Sequence, residues 1–138
     1  MDSFYSLYKQ RRYVESEGDC RTALMKDGSN LTARQVLIQA LLAQGKTKAA
    51  QSESEAGLKR SQTDDQKSLF LHYHGSACEA AGEIDKSVDY FRKSLSLSHR
   101  AATAYMLSYT LLQTNQLEES SALAKKILHD PREILAKS

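Results

Sequence analysis

The chain has 138 residues, 41% hydrophobic and 26% charged, with 19 Lys and Arg against 17 Asp and Glu and a net charge of +2. That length fits one domain, and the apolar share is enough for a core, which excludes a disordered chain. Charges of both signs are interspersed, so there is little electrostatic reason to expect a phosphate backbone as partner, and nucleic-acid binding is set aside.

The first stretch, Met1-Asp-Ser-Phe-Tyr-Ser-Leu-Tyr8, has no basic region leading into an apolar one and does not read as a secretion signal. It reads as a helix over 2–11. No run anywhere approaches the roughly 18 apolar residues that cross a bilayer, so no membrane partner is expected. The short basic clusters, Lys9-Gln-Arg-Arg12 and Lys125-Lys126, read as solvated helix faces. A second helix is expected over 14–28. It holds Cys20, which with Cys78 makes too few cysteines for a disulfide scaffold. Both fall in amphipathic patterns where Cys acts as a small buried apolar group, and a reducing, cytoplasmic compartment fits best.

Apolar residues then recur at helical spacing, as in Val36, Leu37, Leu41 and Leu42, and in Val88, Phe91 and Leu95. Helix pairs are expected at 31–44 and 47–60, at 66–81 and 84–97, and at 101–114 and 117–129. Gly45, Gly82 and Asn115 each follow an apolar helical stretch and tolerate the left-handed conformation that ends a helix. They lie 37 (82 − 45) and 33 (115 − 82) positions apart, and stepping back 34 from Gly45 (45 − 34) reaches Arg11. Four units of about 34 residues emerge. Each carries a small residue five positions after its cap (Ser16, Ala50, Ser87, Ser120) and a pair near the helix end (Ala23-Leu24, Gly57-Leu58, Ser94-Leu95, Ile127-Leu128).

On these residues the chain resembles the tetratricopeptide repeat family, most fully in GEIDKSVDYFRKSLSL over 82–97. It departs from the family in lacking Trp, in showing the family's proline only at Pro131, and in placing Ser54 where a large apolar residue is usual. The unit holding Ser54 is therefore expected to be the most loosely packed. The resemblance implies an all-α, right-handed superhelical array of about four helix-turn-helix hairpins in a single repeat domain. Its units are 1–28, 31–60, 66–97 and 101–129, with 130–138 a capping or truncated helix. The longer spacing between Gly45 and Gly82 is assigned to a loop over 61–66. Asp130, Pro131 and Glu133 carry a helix-start signature, which reads equally as a cap on the last unit or as the opening of a further one.

No phosphate-cradling glycine loop, Cys-x-x-Cys, His-Glu-x-x-His or Gly-x-Ser-x-Gly occurs, so the chain is not read as an enzyme, and no catalytic residue, cofactor or metal is expected. His72 and His74 are two residues apart, about 200° around a helix, and so face opposite ways. Asp64-Asp65, Glu83 with Asp85, and Glu118-Glu119 fall in loops or at helix starts, where the dipole favours negative charge. Cys78 reads as a buried structural thiol.

The resemblance implies a concave groove lined by the first helix of each pair, which puts Gln35, Gln39, Leu42, His72, Tyr73, Ser76, Glu79, Tyr105, Tyr109 and Leu112 along it. The tyrosines could supply rigid contact area with hydroxyl handles, or could pack between hairpins. Gln35 and Gln39 could hydrogen-bond a peptide backbone. A carboxylate clamp for a chaperone tail would need Lys, Asn and Arg on this face, and their absence argues against that partner. The expected function is a scaffold or adaptor that binds an extended or helical segment of another protein. Two alternatives remain: a small chaperone for a secreted or pilus subunit, and a structural module that stacks or self-associates through its ends. Phe4, Tyr5, Leu7 and Tyr8 at one end and Ile134 and Leu135 at the other motivate the last.

Overall fold

A computed structural model describes residues 3–114 and 122–125. The expected cap at Asn115, most of the helix over 117–129, the helix start at Asp130 and Pro131, and Ile134 and Leu135 lie outside the described residues. The helices are α1 (Ser3–Lys9), α2 (Tyr13–Lys26), α3 (Leu31–Ala43), α4 (Thr47–Arg60), α5 (Asp64–Ala80), α6 (Ile84–Leu97) and α7 (Ala101–Gln113). Residues 122–125 are also helical, and no strand occurs among the described residues. Each helix packs on the next in sequence, while α1 also touches α3, α3 touches α5 and α5 touches α7. This all-α array of stacked hairpins, with alternate helices side by side, is the fold class expected from the sequence.

The turns inside the first three hairpins share one geometry. After α3, Gly45 N–H donates to Leu42 O (3.0 Å) and Lys46 N–H to Leu41 O (2.9 Å), with Gly45 at φ 74°. After α5, Gly82 N–H donates to Glu79 O (3.0 Å) and Glu83 N–H to Cys78 O (2.8 Å), with Gly82 at φ 83°. After α1, Arg11 N–H donates to Tyr8 O (3.0 Å) and Arg12 N–H to Leu7 O (2.9 Å), with Arg11 at φ 61°. These paired bonds satisfy carbonyls that a helix end would otherwise leave open, and the left-handed residue makes them reachable. Arg11 thus occupies the place of a glycine.

Helix starts are fixed by side chains where the sequence provides them. Asn30 accepts from Ala33 N–H at 3.0 Å and starts α3. Thr63 accepts from Gln66 N–H at 3.1 Å, and Gln66 Oε1 accepts from Thr63 N–H at 3.3 Å, a reciprocal box that starts α5. That box puts the extra residues of the third unit into the helix, so α5 has 17 residues against 13 in α3 and α7. The loop expected over 61–66 is correspondingly short.

The core runs through the stack. Phe4, Cys20, Val36, Leu37, Ile38, Leu41, Ala50, Phe70 and Ala77 form one buried cluster from α1 to α5. Val88, Phe91, Leu107 and Leu111 form a second, joined by Leu123. Each fully buried large side chain contributes about 1.5–3 kcal/mol relative to exposure. Close approach of helices depends on two glycines. A Cβ at Gly57 in α4 would overlap the Phe70 ring of α5, and one at Gly75 in α5 would stand 2.7 Å from the Phe91 ring of α6. The second unit is therefore not loose around Ser54: that residue is fully buried, its hydroxyl donates to Ala50 O at 2.7 Å, and the next helix lays Phe70 against Gly57.

Polar ties also join the hairpins. Glu17 accepts from Lys46 Nζ and Gln44 Nε2, both at 3.0 Å, and from Arg21 Nε at 3.2 Å. Partial desolvation raises the Glu17 pKa, but these donors outweigh it and hold the carboxyl below its ordinary range. Arg34, almost fully buried, donates to Glu53 at 2.6 Å and to Gly28 O at 3.1 Å.

Candidate protein-binding face

Helices α1, α3, α5 and α7 lie side by side because the alternate helices cover their other flanks. The ten residues expected along a groove divide into two groups. Gln35 Nε2 of α3 donates to the Tyr73 hydroxyl of α5 at 3.2 Å. His72 stacks edge-on against Tyr73, with ring centroids 5.4 Å apart, and its Nδ1 lies 2.9 Å from Thr103 Oγ1 of α7. Burial pushes the Tyr73 phenol up, against the opposing pull of the Gln35 hydrogen bond. Leu42 and Tyr73 pack on the first core cluster. Gln39, Ser76 and Glu79 are half-buried. Gln35, Tyr73 and His72 thus tie α3, α5 and α7 to one another.

Tyr105, Tyr109 and Leu112 form the second group. They are 53%, 54% and 50% exposed and stand on one side of α7. The opposite side buries Thr103, Leu107, Thr110 and Leu111. Ala102, which sequence reasoning did not single out, is also exposed and continues the same stripe one turn toward the N-terminus. Its step of three from Tyr105 was the available signal.

His72 and His74 do face opposite ways. His74 is 6% exposed, T-stacked on Tyr90 with centroids 4.3 Å apart, and its Nε2 is 3.8 Å from Glu55 Oε1. Its Nδ1 is buried without a hydrogen-bond partner. Gln51, Glu55, Cys78, Glu83, Lys86 and Tyr90 complete a cavity of about 160 Å³ between α4, α5 and α6. Sequence spacing shows only that His74 and Cys78 share a helix face; the α4 and α6 residues come from far along the chain. Desolvation pushes the His74 pKa down, against the Glu55 carboxylate that pulls it up. Burial likewise raises the Cys78 thiol, whose contact here is Gln51 Nε2 at 3.7 Å, and pushes Cys20 up to about 12. Both thiols therefore stay protonated at neutral pH, the opposite of an activated nucleophile. Glu83 begins α6 without capping it, and accepts instead from Gln51 Nε2 at 2.7 Å and from Lys86 Nζ at 3.0 Å. Among the described residues no group of His, Cys, Asp and Glu is arranged to hold a metal ion, and no helix is long and apolar enough to cross a membrane.

No family model and no curated protein matches the sequence. Solved structures do match in shape. The thermophilic TPR protein TTC0263 of Thermus thermophilus superposes with a TM-score of 0.85 at 17% identity, over 96% of this chain and 73% of that one. MamA of Desulfovibrio magneticus RS-1 gives 0.80 at 15% identity, over 94% and 72%, and a further MamA crystal structure gives 0.77 at 15%, over 94% and 74%. The chain has a tetratricopeptide-like repeat fold.

Proposed function

We propose that this chain is a protein-interaction scaffold that holds a segment of another protein against the face of α3, α5 and α7, and performs no bond chemistry of its own. One observation carries the reading: Tyr105, Tyr109 and Leu112 stay half-exposed beside helices whose own polar groups are already tied by the Gln35–Tyr73 and His72–Thr103 contacts. Aromatic residues held on a rigid backing offer large contact area at small entropic cost, which suits recognition. Glu79 is the only charged residue among the ten that form the proposed groove, so the bound segment is an uncharged, partly apolar one.

The test is affinity capture from extract by the native chain and by a Tyr105→Ala/Tyr109→Ala variant, after circular dichroism shows equal helicity. A partner held by the native chain and lost from the variant supports this face. A partner held equally by both places recognition on another surface and removes the groove reading.

A further inference from the structure

Helix α7, AATAYMLSYTLLQ, contains no charged residue from Ala101 to Gln113. Its exposed side carries Ala102, Tyr105, Tyr109 and Leu112, in steps of three, four and three, which is the spacing of a helix-helix seam. The other large exposed hydrophobics of the described residues, Tyr5, Val14, Met25 and Leu97, are scattered over α1, α2 and α6. Scattered apolar residues are ordinary on a protein surface, whereas a contiguous stripe marks an interaction site. At the N-terminal end, by contrast, Phe4 is buried, Leu7 and Tyr8 are half-buried and only Tyr5 is exposed, so that end offers little apolar surface for stacking.

We infer that α7 is a self-association face, on which two copies of the chain pair antiparallel through Ala102, Tyr105, Tyr109 and Leu112. The stripe matches itself about a two-fold axis at Leu107. Ala102 of one copy stands opposite Leu112 of the other, small against large, and Tyr105 stands opposite Tyr109. Pairing buries no charge on either helix, so no ion loses its hydration. The antiparallel arrangement sets each helix N-terminus beside the other's C-terminus, which the helix dipoles favour. The tyrosine hydroxyls remain at the rim of the seam, where water can reach them. One helix per subunit gives less than the roughly 1,200–2,000 Å² of a standard stable interface, so the dimer is reversible and weak. This goes beyond the groove reading, since a second copy and a bound segment would compete for α7.

Sedimentation velocity of the full chain in a dilution series tests it. The native chain should shift from dimer to monomer on dilution. Tyr109→Glu and Leu112→Glu, both at half-exposed positions where folding tolerates a charge, should each remain monomeric at the highest concentration. Tyr105→Lys/Tyr109→Glu should restore the dimer, because each lysine then faces a glutamate across the axis, while Tyr105→Lys/Tyr109→Lys should not. A native chain that stays monomeric throughout overturns the proposal and leaves the groove reading standing. Association that survives Tyr109→Glu and Leu112→Glu overturns it as well, by placing the contact elsewhere, and failure of the charge-swapped pair to restore the dimer overturns the antiparallel register.

Discussion

Among the described residues Arg11 is the one non-glycine residue with a positive φ. Its φ of 61° belongs to the conformation that a non-glycine residue adopts at a cost of about 1–2 kcal/mol. Among the described residues the equivalent positions are Gly45 and Gly82. Arg11→Gly should therefore stabilise the chain by about 1 kcal/mol, part of the strain relief being offset by the greater freedom of glycine when unfolded. Urea unfolding followed by circular dichroism would show a higher midpoint, and an unchanged or lower one would mean that the turn draws support from the arginine side chain. The position itself is legible in the sequence, because counting 34 back from Gly45 lands on it. Its strain is not, since nothing in the residue type announces a positive φ.

At the scale of elements, hydrophobic period and cap spacing are enough to locate the hairpins, because both are local properties of the chain. The contacts between helices are not local, and there the sequence misleads. Ser54 suggests a poorly filled helix, yet it is fully buried with its hydroxyl on Ala50 O, and Gly57 one turn later is what admits Phe70 from the next helix. Gly57→Ala should show this. The added methyl overlaps the Phe70 ring; overpacking costs about 1–3 kcal/mol, here at the upper end, against a gain of about 1 kcal/mol in helix propensity. The net expectation is a loss of about 2 kcal/mol, read as a lower urea midpoint and largely recovered by adding Phe70→Leu. A stabilised Gly57→Ala protein would show that the helices part easily at this point. The groove residues divide for the same reason. Spacing puts His72 and Tyr105 at equivalent positions, ten before Gly82 and ten before Asn115, but it does not show that Thr103 of α7 ties His72 down while Tyr105 stays half-exposed.

For the whole molecule, stability passes through each junction in turn, since each hairpin is buried only by its neighbours. His74 lies where the second unit meets the third, between α4, α5 and α6, with Glu55 and Gln51 facing it from α4 and Glu83, Lys86 and Tyr90 from the α6 side. Its pKa is depressed in the fold, so the folded state favours the neutral ring. An unfolded histidine takes up its proton near pH 6.5. The stability this burial permits is intact above that value and is lost as the pH falls through it toward the lower folded pKa. Thermal melts should give a lower midpoint in mild acid than at neutral pH, and His74→Gln should flatten that difference; an equal pH response in both proteins would remove His74 as its cause. The same junction limits how the array could be lengthened. Ser94 occupies in the third unit the place that Gly57 holds in the second, and its hydroxyl and carbonyl are committed to Ser68. If residues 61–97 were duplicated in tandem, the copied Phe70 would meet Ser94 where it now meets a bare glycine. Growth by repeating the best-matching unit would thus fail sterically unless Ser94→Gly came with it, and the repeats, alike in outline, are not interchangeable parts.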